Sequence, residues 1–250
     1  MIHYHGTPIG GSREMAPIFL LGRHAFVSFA HQEQLQIVAE CCQSFAFDNG
    51  AFSAWMGGKP VSDWSGYYEW VLEWHRHPGF DWAVIPDVID GSEADNDALI
   101  VEWRNSMARP YVGVPVWHLH ESLYRLRRLA VEWPRVALGS SGEWATVGDE
   151  RWVARMHLAM GTLCGAGNRP ICKLHGLRML NPEIFTCWPL SSADSTNAGQ
   201  NGHRESMKLG MACAAQGADW IASRRIEPFN SAACWTPAAV QPSLFQEFAA

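Results

Sequence analysis

Short apolar runs alternate with longer amphipathic segments along most of this chain. The short runs often contain β-branched residues, and such apolar runs are typical of strands that are buried on both faces. They predict eight strands, at residues 2–5, 25–29, 44–47, 82–85, 114–118, 136–138, 171–174 and 190–193.

The longer segments carry apolar residues at the spacing of one helix face. Leu123, Leu126 and Leu129 show this period between two predicted strands, and an amphipathic stripe of this kind indicates a helix that packs on a core. The predicted helices cover residues 32–41, 64–75, 92–107, 121–133, 149–164, a short stretch after Asn181-Pro182, and 203–216.

Alternating strands and helices predict an α/β fold with a parallel sheet. Eight such units in 250 residues match a single (β/α)8 TIM-type barrel, which we predict as one domain over residues 1–250. Residues 227–250, rich in Pro and Ala, are predicted to wrap the barrel as a C-terminal tail. A doubly wound open sheet is the alternative, but the glycine-rich segment 5–11 has neither the dinucleotide nor the P-loop spacing.

Net charge and cysteine content limit the expected function classes and the expected cellular compartment. The formal net charge is −6, so the chain does not have the basic character that is typical of nucleic-acid-binding proteins. The seven cysteines form no CxxC pair and no zinc-finger spacing, which indicates free thiols in a reducing compartment. We find no signal peptide and no apolar run near about 18 residues, so we expect a cytoplasmic protein without a membrane span.

Three carboxylates stand at the exits of predicted strands. Asp48 and Asp87 each follow an early strand, and Asp194 follows the last one in a loop of hydroxyls, amides and glycine. A single aspartate at such a position is commonly a turn or a helix cap. Because the carboxyl ends of the strands of a β/α barrel meet on one face, the repetition predicts one shared site.

Two His-x-His pairs support an alternative. His118 and His120 lie on one predicted strand, and His3 and His5 lie on the first. Alternate residues of a strand point to the same side, where two imidazoles can bind a metal. A metal-dependent barrel hydrolase that uses these histidines is therefore a competing hypothesis.

The order of several short motifs resembles a known family, the tRNA-guanine transglycosylase superfamily. The similarity is nearest to its DNA-directed branch, the 7-deazaguanine DNA-modification transglycosylases of phages and bacterial genomic islands. It spans roughly residues 44 to 202 and is carried by Phe47-Asp48-Asn49-Gly50-Ala51-Phe52, Val136-Ala137-Leu138-Gly139-Ser140-Ser141-Gly142, Lys173-Leu174-His175-Gly176-Leu177 and Ala193-Asp194-Ser195-Thr196. Each motif is short, and their order is the stronger signal.

The resemblance implies a (β/α)8 barrel and the exchange of guanine in a polynucleotide for a 7-deazaguanine base. By motif, Asp194 would be the nucleophile that attacks C1′ and forms a covalent glycosyl-enzyme intermediate. Asp48 would be the general acid and base. The substrate base would be bound by Asp87, His118, Gly139, Ser140 and His175.

Departures from the family pattern shape the expected partners. The RNA-directed enzymes carry a zinc site of closely spaced cysteines and a histidine near the C-terminus, and no such cluster is present here. We therefore expect no metal or other cofactor, and DNA rather than tRNA as the nucleic acid. The other expected partners are a 7-deazaguanine base such as a preQ0-like compound and subunits of a DNA-modification system. The acidic charge leaves a free nucleotide open as the substrate, and a non-catalytic module that binds a modified base is a third hypothesis.

Overall fold

The computed structural model describes residues 1–10, 15–210 and 214–238, and shows an α/β fold around a nearly closed parallel sheet. Within this part of the chain the sheet has nine strands in the order β5-β4-β3-β2-β1-β9-β8-β7-β6. The strands are β1 (Ile2–Gly6), β2 (His24–Ser28), β3 (Ser44–Asp48), β4 (Phe80–Val84), β5 (Gly113–Val114), β6 (Val116–His118), β7 (Arg135–Gly139), β8 (Lys173–Gly176) and β9 (Ser192–Ser195).

Nine strands stand where eight were predicted, because the predicted strand 114–118 is divided at Pro115. β5 pairs with β4 and β6 pairs with β7, so the two pieces lie at opposite ends of the hydrogen-bonded order although one residue separates them. Proline has no N–H to donate to a ladder, but its carbonyl still accepts from Ala137 N at 2.9 Å. The sheet therefore comes close to closing on itself at Pro115.

Helices cover the outside of the sheet. They are α1 (Met15–Leu20), α2 (Leu35–Cys41), α3 (Ala51–Met56), α4 (Ser65–Trp74), α5 (Glu93–Ser106), α6 (Leu123–Glu132), α7 (Glu150–Leu163), α8 (Pro182–Phe185), α9 (Asn197–Lys208) and α10 (Ala214–Trp220), followed by a π-helical turn at Ile221–Ile226. The predicted helices from 32 to 164 are found within a few residues of their expected bounds. α1 and α3, each of six residues, were not predicted.

The last predicted helix, 203–216, is wrong in its bounds. α9 begins six residues earlier, at Asn197, and ends at Lys208. Gly210 has a φ of +67°, the left-handed conformation that glycine adopts without strain and that commonly ends a helix. Residues 211–213 of the predicted helix lie outside the described part of the chain.

The last two strands begin two residues later than their apolar runs. β8 starts at Lys173 rather than 171, and β9 starts at Ser192 rather than 190. Leu190 is buried in the outer core, so its apolar character reflects packing just before the ladder begins. Asp194 therefore lies within β9, and the prediction of a loop position for it is wrong.

Side chains alternate between the barrel interior and the helical layer, as the period of a strand requires. The interior set is a separate small cluster: Tyr4, Phe26, Ala46, Trp82, Val84, Val114, Val116 and Ala137. The outward set packs against helices, and there the ring of Phe47 stacks on Trp70 of α4 with centroids 3.7 Å apart. Trp70 thus serves packing, as is common for tryptophans on helices.

The predicted tail is described as far as residue 238. Trp235 donates from its backbone N to Asn168 O at 2.8 Å, and from its indole to His157 Nδ1 of α7 at 3.0 Å. Residues 239–250 lie outside the described part of the chain. Among the helices described, none combines the length and apolar character that a membrane crossing requires.

Candidate active site

A cavity of about 470 Å³ opens at the carboxyl ends of the strands. The last residues of most strands contribute to its wall, which is where β/α barrels place their sites. Six of the predicted site residues line it: Asp48, Asp87, His118, Gly139, Ser140 and Asp194. The expected convergence of the three strand-exit carboxylates is thus confirmed.

Asp48 is the last residue of β3, and the two residues after it fix the turn. Gly50 has a φ of +79°, so a side chain at this position would be strained. The buried Asn49 accepts from Ala51 N at 2.8 Å and donates to Ile85 O at 3.0 Å and to Asp87 Oδ1 at 2.7 Å. The Asp-Asn-Gly sequence therefore links the ends of β3 and β4 and holds two of the carboxylates in one wall.

Asp48 carries the most informative electrostatic feature of the cavity. Burial, followed by the negative charges of Asp194 and Asp87, raises the pKa of Asp48 to about 7, against the opposing effects of the Ser28 hydroxyl and the Gly50 N–H. Low polarity and like charges both disfavour the ionised carboxylate. A carboxyl group with this pKa can donate and accept a proton near neutral pH.

Asp87 and His118 form a buried pair across the cavity wall. His118 Nε2 lies 2.9 Å from Asp87 Oδ2, while Asn49 occupies Oδ1. His118 Nδ1 is buried and has no hydrogen-bond partner among the residues described. Gly139 leaves room for this ring, because a Cβ at Gly139 would stand 2.9 Å from Nδ1. Asp87 Oδ1 thus has a hydrogen-bond donor in Asn49, whereas Oδ2 is only in close contact with His118, and neither ring nitrogen of His118 has a hydrogen bond among the residues described.

A second buried layer supports this pair. Glu121 accepts from His118 N at 2.9 Å and from Asn96 Nδ2 at 2.9 Å. Asn96, on α5, accepts from Val88 N at 2.7 Å, next to Asp87. Arg125 Nη1 neutralises Glu121 at 2.6 Å. These residues hold the segments after β4 and β6 together.

Side chains from two other segments hold the Gly139–Ser141 loop in place. Ser140 Oγ accepts from the indole of Trp152 at 2.8 Å, and its carbonyl accepts from the guanidinium of Arg178. Arg178 also lies over the ring of Phe52, 4.2 Å from the centroid. Ser140 is 3% exposed, so its contact with a ligand is limited to the part of its surface that faces the cavity.

Asp194 presents one oxygen to the cavity. Its Oδ1 accepts from Arg178 N at 3.0 Å and lies 3.2 Å from His175 Nε2. Oδ2 has no hydrogen-bond partner in the described part of the chain. Arg178 adopts a φ of +61°, which is unusual for a residue other than glycine, and this turn directs its N–H at the carboxylate. The arrangement fits a nucleophile with one oxygen held and the other free.

His175 is not in the cavity wall, contrary to the expectation that it contacts a base. It is fully buried inside the barrel, with Nδ1 2.9 Å from Ser192 Oγ and Nε2 toward Asp194. The order Ser192–His175–Asp194 is that of a hydrolase triad. Ser192, however, is fully buried and absent from the cavity wall, so the group that reaches the cavity is the carboxylate.

The four histidines of the metal hypothesis are not brought together. His5 packs on Phe19 of α1 with centroids 5.1 Å apart, and His3 packs on Phe185 of α8, so both face the helical layer. His118 lines the cavity, and the exposed His120 stacks on it with centroids 5.5 Å apart. In the part of the chain that the structure describes, no group of three or more His, Cys, Asp or Glu side chains is placed to hold a metal ion.

Sequence reasoning missed three contributors to the site. Asn49 was named only as a member of the motif at residues 47–52, and Arg178 was not named. α9 was placed too late to be noticed, yet its first turns bring an amide-rich edge to the cavity, formed by Asn197, Gln200 and Asn201. The Asn-rich sequence directly after Asp194 was the available signal, because amides at this position line a barrel mouth once the helix starts at Asn197.

Comparison with protein-family models, with curated proteins and with solved structures gives no match to this chain.

Proposed function

We propose that this protein is a transglycosylase that exchanges guanine in a polynucleotide for a 7-deazaguanine base through a covalent intermediate. The observation that carries the proposal is the presence of two carboxylates with different environments in one cavity. Asp194 has one oxygen held and one free, and Asp48 has a pKa of about 7. A fixed nucleophile with an acid and base of neutral pKa is what double displacement at a glycosidic carbon needs.

The first half-reaction breaks the bond between C1′ and the base. Asp194 Oδ2 attacks C1′, and the electron pair of the breaking bond leaves with guanine, which takes a proton from Asp48. The sugar is then an ester of Asp194. The base must leave its stack to reach the cavity, as in other enzymes that act on bases.

The second half-reaction reverses these roles. Asp48, now ionised, takes a proton from the ring nitrogen of the incoming base, and this nitrogen attacks C1′ as Asp194 departs. No water is consumed, and the polynucleotide keeps its length. Asp87 and His118 offer polar contacts to the edge of either base.

The same proposal covers the fold and the substrate. We take β5, Pro115 and β6 as one interrupted strand, which makes the sheet an eight-stranded TIM-type barrel. The motif resemblance favours DNA over tRNA and a preQ0-like incoming base, with other subunits of a DNA-modification system as partners in the cytoplasm. The net charge of −6 argues for a short contact with the polynucleotide rather than a long basic groove.

The test is incorporation of labelled guanine. We expect the full chain to incorporate label into double-stranded or single-stranded DNA, with less or none in tRNA and none in free guanosine. Addition of an unlabelled 7-deazaguanine base should then displace the label. A DNA without guanine serves as the matched control.

Each other outcome replaces the proposal with a named alternative. Label only in free nucleosides overturns the polynucleotide substrate. Tight base binding without exchange in any substrate supports the binding module. Stoichiometric zinc or manganese in protein purified without an affinity tag, together with a hydrolytic activity that depends on this metal, supports the metal-dependent hydrolase.

The pKa of Asp48 predicts how exchange responds to pH. Because the first half-reaction needs the protonated acid, kcat/KM for the polynucleotide should fall about tenfold per pH unit above about 7. Asp48→Asn should lower the maximal kcat/KM by about 10²–10⁴-fold and abolish its decline above pH 7. The measurement is a pH profile at substrate concentrations well below KM, with the exposed Asp90→Asn as control. A decline of kcat/KM with pH that persists in Asp48→Asn would assign the titration to another group.

A further inference from the structure

His175 lies at the centre of the barrel, below the cavity. It is the backbone partner of Ser192 in the β8–β9 ladder, and both side chains are fully buried. The rings of Trp82, Phe26 and Tyr4 surround it, with centroids at 4.7, 5.4 and 5.9 Å. A buried imidazole in such a setting needs a partner for each ring nitrogen.

The partners of His175 determine its tautomer. Asp194 Oδ1, a carboxylate acceptor, lies 3.2 Å from Nε2, so Nε2 carries the hydrogen. Nδ1 then accepts from the hydroxyl of Ser192 at 2.9 Å. This neutral tautomer satisfies both nitrogens. Burial lowers the pKa of His175 against the opposing effect of Asp194, in agreement with a neutral ring.

We propose that His175 is a positioning residue, which together with Arg178 N–H holds Asp194 Oδ1 so that Oδ2 is the oxygen that attacks C1′. The inference rests on the proposed function. Two donors converge on Oδ1, at 3.2 and 3.0 Å, and they come from different elements, the interior of β8 and the turn after it. Ser192 keeps the His175 ring in the orientation that this requires. The carboxylate is therefore fixed in rotation as well as in place, and misplacement of a reacting atom by about 1 Å can cost about 10²-fold in rate.

The kinetic test compares two replacements of His175. His175→Leu removes the donor and should lower kcat about a hundredfold with KM unchanged. His175→Gln keeps an N–H donor within reach of Asp194 and should retain kcat within about tenfold of the wild type. His24 on β2, whose Nδ1 lies 2.8 Å from Ser44 Oγ on β3, offers a matched histidine–serine pair outside the cavity wall. His24→Leu should leave kcat unchanged.

A spectroscopic test does not depend on activity. The imidazole ¹⁵N and ¹H correlations of the full chain, assigned by their loss in His175→Gln, should show His175 as the neutral Nε2–H tautomer at pH 7. The Nδ1–H tautomer or a doubly protonated ring would overturn the inference, as would wild-type kcat in His175→Leu. Equal losses of kcat in His175→Gln and His175→Leu would also overturn it, because they would indicate only a packing role. If the wild type exchanges no base, the proposed function fails while the tautomer remains measurable.

Discussion

Asp194→Asn is expected to abolish base exchange, lowering kcat by about 10⁴-fold or more, the scale seen when an enzyme loses its nucleophile. The amide is nearly the same size as the carboxylate, and its oxygen can still accept from Arg178 N, so the fold should be retained. Its neutral oxygen cannot form the glycosyl ester. The measurement is labelled-guanine incorporation into DNA by the purified variant, with the melting temperature recorded alongside.

A covalent complex provides the second readout. Wild-type protein incubated with DNA and no free base should give an enzyme–DNA band on a denaturing gel, and Asp194→Asn should not. Asp90→Asn makes the same chemical change at an exposed position outside the cavity wall and should keep both the band and the exchange. Normal exchange by Asp194→Asn would rule out this residue as the nucleophile.

Arg125→Met is expected to lower the free energy of unfolding by about 3–5 kcal/mol. The side chain of Arg125 is 1% exposed and that of Glu121 is fully buried, with 2.6 Å between Nη1 and Oε2. Removing the guanidinium leaves a buried carboxylate without its counter-charge, and also leaves Val116 O without a donor. Urea denaturation followed by tryptophan fluorescence measures the change.

The neighbouring residue and the double variant serve as controls. Arg127, exposed on the same helix, donates to Thr162 O, and Arg127→Met should change the free energy of unfolding by about 0.5 kcal/mol or less. Adding Glu121→Gln to Arg125→Met removes the uncompensated charge and keeps an acceptor for His118 N or Asn96. The double variant should therefore be more stable than Arg125→Met alone, and a purely additive result would contradict the charge argument.

The periodicity of the sequence was sufficient for the alternation of strands and helices around a parallel sheet and for the position of most of the cavity. Asp48 and Asp87 were located because their strands are short, apolar and followed by turn residues. Asp194 was located by the same rule, although it lies within β9. The rule does not separate an apolar residue in the ladder from one that packs just before it, as Leu190 does.

The same ambiguity affects His175, which the motif resemblance implied as a contact to the base. A shift of two residues keeps a side chain on the same face of the sheet but moves it about 7 Å along the strand. His175 was expected at the cavity and lies beneath it. The layer of Glu121, Asn96 and Arg125 could not be predicted, because its hydrogen bonds join α5 to the segment after β6 and depend on how these elements pack.

The interruption at Pro115 gives the cavity a role in the local opening of the barrel. Backbone pairing between β4 and the next strand ends at Val114, and beyond it the Asp87–His118 pair and the Asn96–Glu121 bond cross the gap. These two side-chain contacts thus bridge the position at which the backbone ladder is interrupted. We expect the free energy of local opening next to Pro115, which amide hydrogen exchange reports, to depend on these two side-chain contacts.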